Sequence, residues 1–188
     1  MSRLNTNTII SPQHGTPILQ STGNIVQCNR VRYDSRTTWS SNNSGNGTEI
    51  TGLRLSITPR HSGNLLLCQW VLSGDFHYDN VFLVFKNGGL ITTGGEQGYN
   101  AETGNARWSG FTSSTHESAG ADVGSTPHHW FIQYYCNAEN TSNRFYSPAI
   151  RSSTGSNYTL FLNRCGSSNG QNGYETTVST GVIYEITR

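Results

Sequence analysis

Three short runs constrain this chain more than any other feature: LLLCQWVL at residues 65–72, VFLVF at 81–85 and HWFIQYYC at 129–136. Flanked by turn-forming residues, they read as strands. Successive side chains on a strand point to opposite faces, so a sheet with one wet face should alternate apolar and polar residues. These runs scarcely alternate, so both faces of each strand are apolar. The interior of a sandwich covers one face. The other needs a cover too, because exposed apolar patches of several hundred Å² are uncommon on monomers. Helices cannot supply it. The chain has one Lys and one Met, and Ser, Thr, Asn and Gly make 85 of its 188 residues. Two covers remain: another copy of the chain, which implies a symmetric homo-oligomer packed sheet face to sheet face, or the long insertion at residues 88–127. The aromatic rows expected to form such an interface are Trp70, Phe82 (or Leu83), Trp130 (or Phe131), Tyr134 (or Tyr135) and Phe161, the choice in each pair depending on which strand face is outward.

The rest of the chain fits an all-β reading. Strands are expected at 24–33, 48–58, 143–150, 158–163 and 178–186 in addition to the three runs, about eight in all. Gly52 suggests a bulge within 48–58, Pro148 breaks 143–150, and Asn87-Gly88 is a hairpin turn signal. This is the spacing of a sandwich or barrel. Residues 24–188 form the domain. The 88–127 insertion, rich in Gly, Thr and Ser, holds at most weak strands around 106–112. Residues 1–23 stand apart as an extended arm. Leu4 and the apolar pairs Ile9-Ile10 and Ile18-Leu19 are too sparse for a core and are the residues expected to anchor the arm to a larger particle.

Composition and motifs exclude most chemistry. Net charge is +1, and Arg30, Arg32 and Arg36 are the only basic cluster, so no nucleic acid partner is expected. No apolar run approaches the roughly 20 residues that span a bilayer, so no membrane insertion is expected. The sequence opens without the apolar core of a signal peptide. Cys28, Cys68, Cys136 and Cys165 form no C-x-x-C pair, which argues against zinc and for free thiols, two or three of them buried. His128 and His129 are adjacent, hence on opposite faces of a strand and unable to share a metal. His14, His61, His77 and His116 are scattered among loops. Glu96, Glu102, Glu117 and Asp122 satisfy no spacing for a carboxylate pair. No catalytic residues, metal or cofactor are expected. Trp39, Tyr99, Trp108 and Phe111 are aromatics in polar loop contexts suited to a glycan or an adaptable protein epitope.

The ordered series GNIVQ, TEITGLRLSITPRHSGNLLL, DNVFLVFKNG, RFYSPAI, SNYTLFLNR and VIYEI resembles the jelly-roll domains of virion fibre and spike proteins of tailed bacteriophages, particularly phages of marine bacteria. The resemblance spans residues 24–188 and lies in strands and turns rather than in catalytic residues. It departs at 39–47 and 88–127. It implies an antiparallel jelly-roll β-sandwich, a homotrimer located in the virion, contact with other virion proteins through the arm, and a tail fibre or spike component that meets a host surface glycan or protein. Capsid decoration (a cement or head-fibre part) is the alternative within the same family. A carbohydrate-binding module and a hydrolase are the alternatives outside it.

Overall fold

The structure, a computed structural model, describes residues 23–42, 46–75, 79–91, 102–103, 107–108, 110–114, 126–166 and 174–188. In chain order the strands are β1 (Ile25–Tyr33), β2 (Thr37–Ser41), β3 (Thr48–Glu49), β4 (Leu55–Ile57), β5 (Leu65–Asp75), β6 (Asn80–Lys86), β7 (Gly89–Leu90), β8 (Glu102–Thr103), β9 (Arg107–Trp108), β10 (Thr112–Ser113), β11 (His128–Asn137), β12 (Arg144–Ser152), β13 (Tyr158–Leu162) and β14 (Ser179–Ile186). All pairings are antiparallel.

The first sheet runs β1–β14–β5–β11. β14 and β11 both register with residues 65–71 of β5, so they occupy its opposite edges. Beyond β14, residues Gly74 and Asp75 pair with β13, which in turn carries β2. The second sheet runs β10–β6–β12, with β3 and β4 sharing the far edge of β12. Count β3 and β4 as one interrupted strand and set aside the short β7–β9 and the β2–β13 pair. Eight strands then remain: the first sheet reads first, eighth, third, sixth and the second reads second, seventh, fourth, fifth. Two interlocked Greek keys give this order, and it defines a jelly roll. The expected fold class is what the chain adopts.

Local chemistry explains the turns and breaks. Asn87 and Gly88 have φ of 53° and 78°, the paired left-handed conformations of a type I′ hairpin between β6 and β7. The strand expected over 48–58 is split instead by a 3-10 turn at Thr51–Leu53. That break accommodates Pro148, which does not interrupt β12 as the sequence suggested. In an antiparallel strand, a residue's N–H and C=O point toward the same neighbour. The carbonyl of Pro148 accepts from Ile50 N at 2.9 Å, so its missing N–H faces the gap between β3 and β4, where no ladder partner waits.

The core lies between the sheets. Leu66, Cys68, Trp70 and Leu72 from β5 alternate inward, as do Trp130, Ile132, Tyr134 and Cys136 from β11; Phe82 and Val84 meet them from the second sheet. Trp70 is fully buried, and its Nε1 donates to Leu53 O at 2.9 Å. It fits because Gly181 stands opposite on β14: a Cβ there would lie 2.5 Å from Trp70 Cδ1. Glu185 faces inward on the same strand and is fully buried. Its carboxylate accepts from Arg60 N and His61 N in the turn before β5, from the Asn64 side chain at 2.6 Å and from the Gln27 amide. Burial pushes its pKa up, but the Arg60 N–H, the Gln27 and Asn64 amides and the His61 N–H outweigh it and hold the carboxyl below its ordinary value. One carboxylate thereby ties β1, β14 and the β4–β5 turn together.

All four cysteines are free thiols, as the sequence suggested. Cys28 is exposed, and the other three are buried. Burial, with Cys136 nearby, pushes the Cys68 thiol well up.

Candidate functional site

The two sheets treat their outer faces differently, and the site follows from that difference. On β6 the outward residues Val81, Leu83 and Phe85 are buried within the single chain, together with Ala149 of β12, and Leu90 packs on them. The second face of VFLVF therefore needs no partner. The outer face of the first sheet is open. Register places its outward side chains in four rows that cross β1, β14, β5 and β11. They are Arg32–Thr180–Val71–Phe131, Arg30–Val182–Gln69–Gln133, Cys28–Tyr184–Leu67–Tyr135 and Ile25–Ile186–Leu65–Asn137. Ile25, Val71, Phe131 and Tyr135 remain 60%, 38%, 54% and 42% exposed, in a protein whose other large apolar side chains are mostly inside.

This face is not flat. A groove of about 650 Å³ crosses it, with Arg30 and Arg32 of β1 on one rim and Phe131 of β11 on the other. Thr180, Val182, Gln69 and Val71 make the floor. The rims are three strand spacings apart, about 14 Å. Arg32 holds Asp34 at 2.9 Å, an exposed pair that leaves the guanidinium accessible to another ligand. In the floor, Gln69 Nε2 donates to Gln133 Oε1 at 3.0 Å, a polar bridge across the β5–β11 seam of this face. A surface of this kind binds by area, aromatic contact and guanidinium recognition. Among the described residues no group of three or more His, Cys, Asp or Glu is placed to hold a metal. His128 is half-buried and His129 exposed, on opposite faces of β11, as expected for neighbours on a strand.

The interface rows expected from the sequence are corrected by this geometry. Trp70, Phe82, Trp130 and Tyr134 are 0%, 0%, 5% and 1% exposed and pack between the sheets. They belong to the inward parity, so they are core and not contact residues. Phe161 is half-buried in β13, with the Arg164 guanidinium 5.1 Å above its ring. Trp39 is not a loop residue either. It sits in β2 opposite Leu160, half-buried against the core, with its Nε1 donating to Thr37 Oγ1 at 2.9 Å. Phe111 also packs inward, edge-on to Tyr134 with centroids 5.8 Å apart, and anchors the insertion to the sandwich. Trp108 lies in β9. Tyr99 and the arm residues Leu4, Ile9, Ile10, Ile18 and Leu19 lie outside the described residues.

The sequence did carry a signal for the open face. Gln69 and Gln133 are the polar residues inside LLLCQWVL and HWFIQYYC, and they pair with each other on the outer side. Every residue an even number of positions from them on these strands shares that side.

No protein-family model matches the sequence, and no curated protein matches it. Among solved structures, a chain from infectious bursal virus derived T=1 particles is similar at TM-score 0.40 and 11% identity, over 96% of this chain and 40% of that one. A chain of the infectious bursal disease virus Gt strain is similar at TM-score 0.38 and 12% identity, over 98% and 43%. The chain thus spans about two fifths of the length of each. Similarity this distant carries no functional argument, and the jelly-roll assignment stands on strand order.

Proposed function

We propose that this chain is a non-enzymatic structural subunit of a viral particle, a homotrimeric jelly roll of the tailed-phage kind that works as a tail fibre or spike component and contacts the host. The observation that carries the assembly role is the open apolar face of the first sheet. Among the described residues the outer face of β6 is covered and this one is not, which is how a subunit differs from a self-sufficient binding module. The viral setting is supported by the sequence resemblance of residues 24–188, whose strand-and-turn series coincides with β1, β3 to β6, β12, β13 and β14. In this reading the N-terminal arm attaches the trimer to the other virion proteins.

The test is immunogold labelling of purified particles with an antibody to the recombinant chain. Label at the tail or its fibres is expected. Label over the head would replace attachment by decoration, and unlabelled particles would overturn the virion role. Light scattering on the isolated protein is expected to give about three times 20.6 kDa.

A further inference from the structure

We infer that the outer face of the β1–β14–β5–β11 sheet is where copies of this chain meet, with the Phe131 rim of one copy seated against the Arg30 and Arg32 rim of the next. The inference rests on the reading of the chain as an assembly subunit, and it names the surface that reading requires.

Three observations single out a second copy as the occupant. The first is area. Four strands about 4.8 Å apart and some ten residues long make a footprint of roughly 20 by 30 Å. Buried aromatic side chains cover ~150–250 Å² each, so the exposed halves of Phe131 and Tyr135 alone offer on the order of 200 Å². In plan the whole face is ~600 Å², and side-chain relief brings its accessible area toward the ~800 Å² per partner of a standard stable interface. The second is complementarity of the two rims. An acidic ligand would suit the arginines and waste the apolar rows; a lipid or other wholly apolar partner would strand the guanidiniums. A copy of this face supplies an aromatic ring for the guanidiniums and apolar rows for the apolar rows. The third is precedent inside the chain, where arginines stack over phenylalanines: Arg54 over Phe145 at 4.4 Å and Arg164 over Phe161 at 5.1 Å.

The groove also argues for an offset arrangement. Two copies stacked in strict register would enclose two grooves against each other. Shifting the Phe131 rim of one copy into the groove of the next fills it and brings the ring to the opposite rim. Around a closed ring of copies, each molecule then gives one rim and receives the other. The Gln69–Gln133 bridge lies beside the Phe131 rim and fixes the register of the contact, since sliding the partner would bury its amides against apolar side chains.

The test uses the full chain and light scattering. Phe131→Arg places a third guanidinium against Arg30 and Arg32 of the neighbour, and Tyr135→Arg serves as a second variant on the same face. Both residues are exposed in the single chain, and far-UV circular dichroism with a melting curve establishes that the variants fold. The expected result is an oligomer for the parent protein and a 20.6 kDa monomer for either variant. Adding Arg30→Glu and Arg32→Glu to Phe131→Arg is expected to restore the oligomer through ion pairs across the joined rims. A parent protein that is monomeric, folded variants that keep the parent mass, or a triple variant that stays monomeric would each overturn the inference. Particle labelling reads the virion role separately, so either can fail without the other.

Discussion

Removing the charge of Glu185 is expected to loosen the whole first sheet, although this residue lies on the buried side of the sheet. In Glu185→Gln the side chain keeps its shape and loses its charge. The carboxylate accepts from Arg60 N at 2.9 Å, His61 N at 3.1 Å, Asn64 Nδ2 at 2.6 Å and the Gln27 amide, all donors. An amide offers one oxygen: placed at Oε1 it keeps the Arg60, His61 and Asn64 donors, while its NH2 takes the Oε2 position and faces the Gln27 amide nitrogen. Hydrogen bonds to a charged group contribute ~1.5–3 kcal/mol and neutral ones ~0.5–1.5 kcal/mol, so the bonds that survive weaken by about 1 kcal/mol each. A buried donor left facing another donor costs ~1–3 kcal/mol more. The total is ~3–5 kcal/mol, a large part of the ~5–15 kcal/mol that holds a domain folded. For a chain of this size ~1 kcal/mol moves Tm by about 2–4 °C, so the shift should be on the order of 10 °C. The pH dependence gives an internal control. The folded-state pKa of Glu185 is lowered from 4.5, so its contribution is complete above that value and disappears as pH falls through the folded pKa. The gap in Tm between parent and Glu185→Gln should therefore be widest near pH 7 and close as the solution is acidified below pH 4.5. Thermal unfolding followed by circular dichroism at several pH values measures both quantities. A gap below about 1 kcal/mol at pH 7, or one that stays constant on acidification, would refute the assignment of Glu185 as the charged tie between β1, β14 and the β4–β5 turn.

Two further outcomes follow from the packing. Gly181→Ala drives a methyl group to 2.5 Å from Trp70 Cδ1 and 2.8 Å from its Nε1, against an indole already fixed by Leu53 O, and should cost ~1–3 kcal/mol or more; a melting curve reads the loss, and near-UV circular dichroism reads the displaced indole. Thiol titration should find one reactive cysteine in the dissociated native protein, Cys28, with Cys68, Cys136 and Cys165 reacting only on unfolding; because Cys28 shares a row with Tyr184, Leu67 and Tyr135, it should react faster in Phe131→Arg than in the parent protein.

Strand positions were legible in the sequence because strands and turns are local. Asn87-Gly88 needs only its own left-handed backbone to make a hairpin, and HWFIQYYC needs only its β-branched and aromatic content to be extended. Which side of each strand faces inward is not local. LLLCQWVL is apolar at seven of eight positions, so the larger aromatics Trp70 and Trp130 were the natural choice for a contact surface, and the inter-sheet space claimed them instead. Size decides this: the interior gains most by enclosing the largest apolar side chain, and Gly181 clears the volume that Trp70 requires. The polar exception in each run, Gln69 and Gln133, marks the outer side, because a core position would leave its amide unpaired. In VFLVF there is no such exception, and its outer side proves to be covered as well.

That contrast gives the open face its meaning. A strand covered on both sides within one chain, such as β6, can be apolar throughout at no risk to solubility. A strand covered on one side and equally apolar on the other, such as β5, carries a liability unless a partner covers it. The outer face of the first sheet moderates the liability without abolishing it: Arg30 and Arg32 stand on the edge strand β1, where charge discourages unwanted strand addition, and the Gln69–Gln133 bridge interrupts the apolar residues of β5 and β11. Charge on the β1 edge and aromatic side chains on the β11 edge make the two rims unlike, which suits contact of one rim with the other rather than edge-to-edge pairing along β1. The same arginines that guard the edge form one rim of the groove, so a single pair of residues would exclude the wrong association and receive the right one.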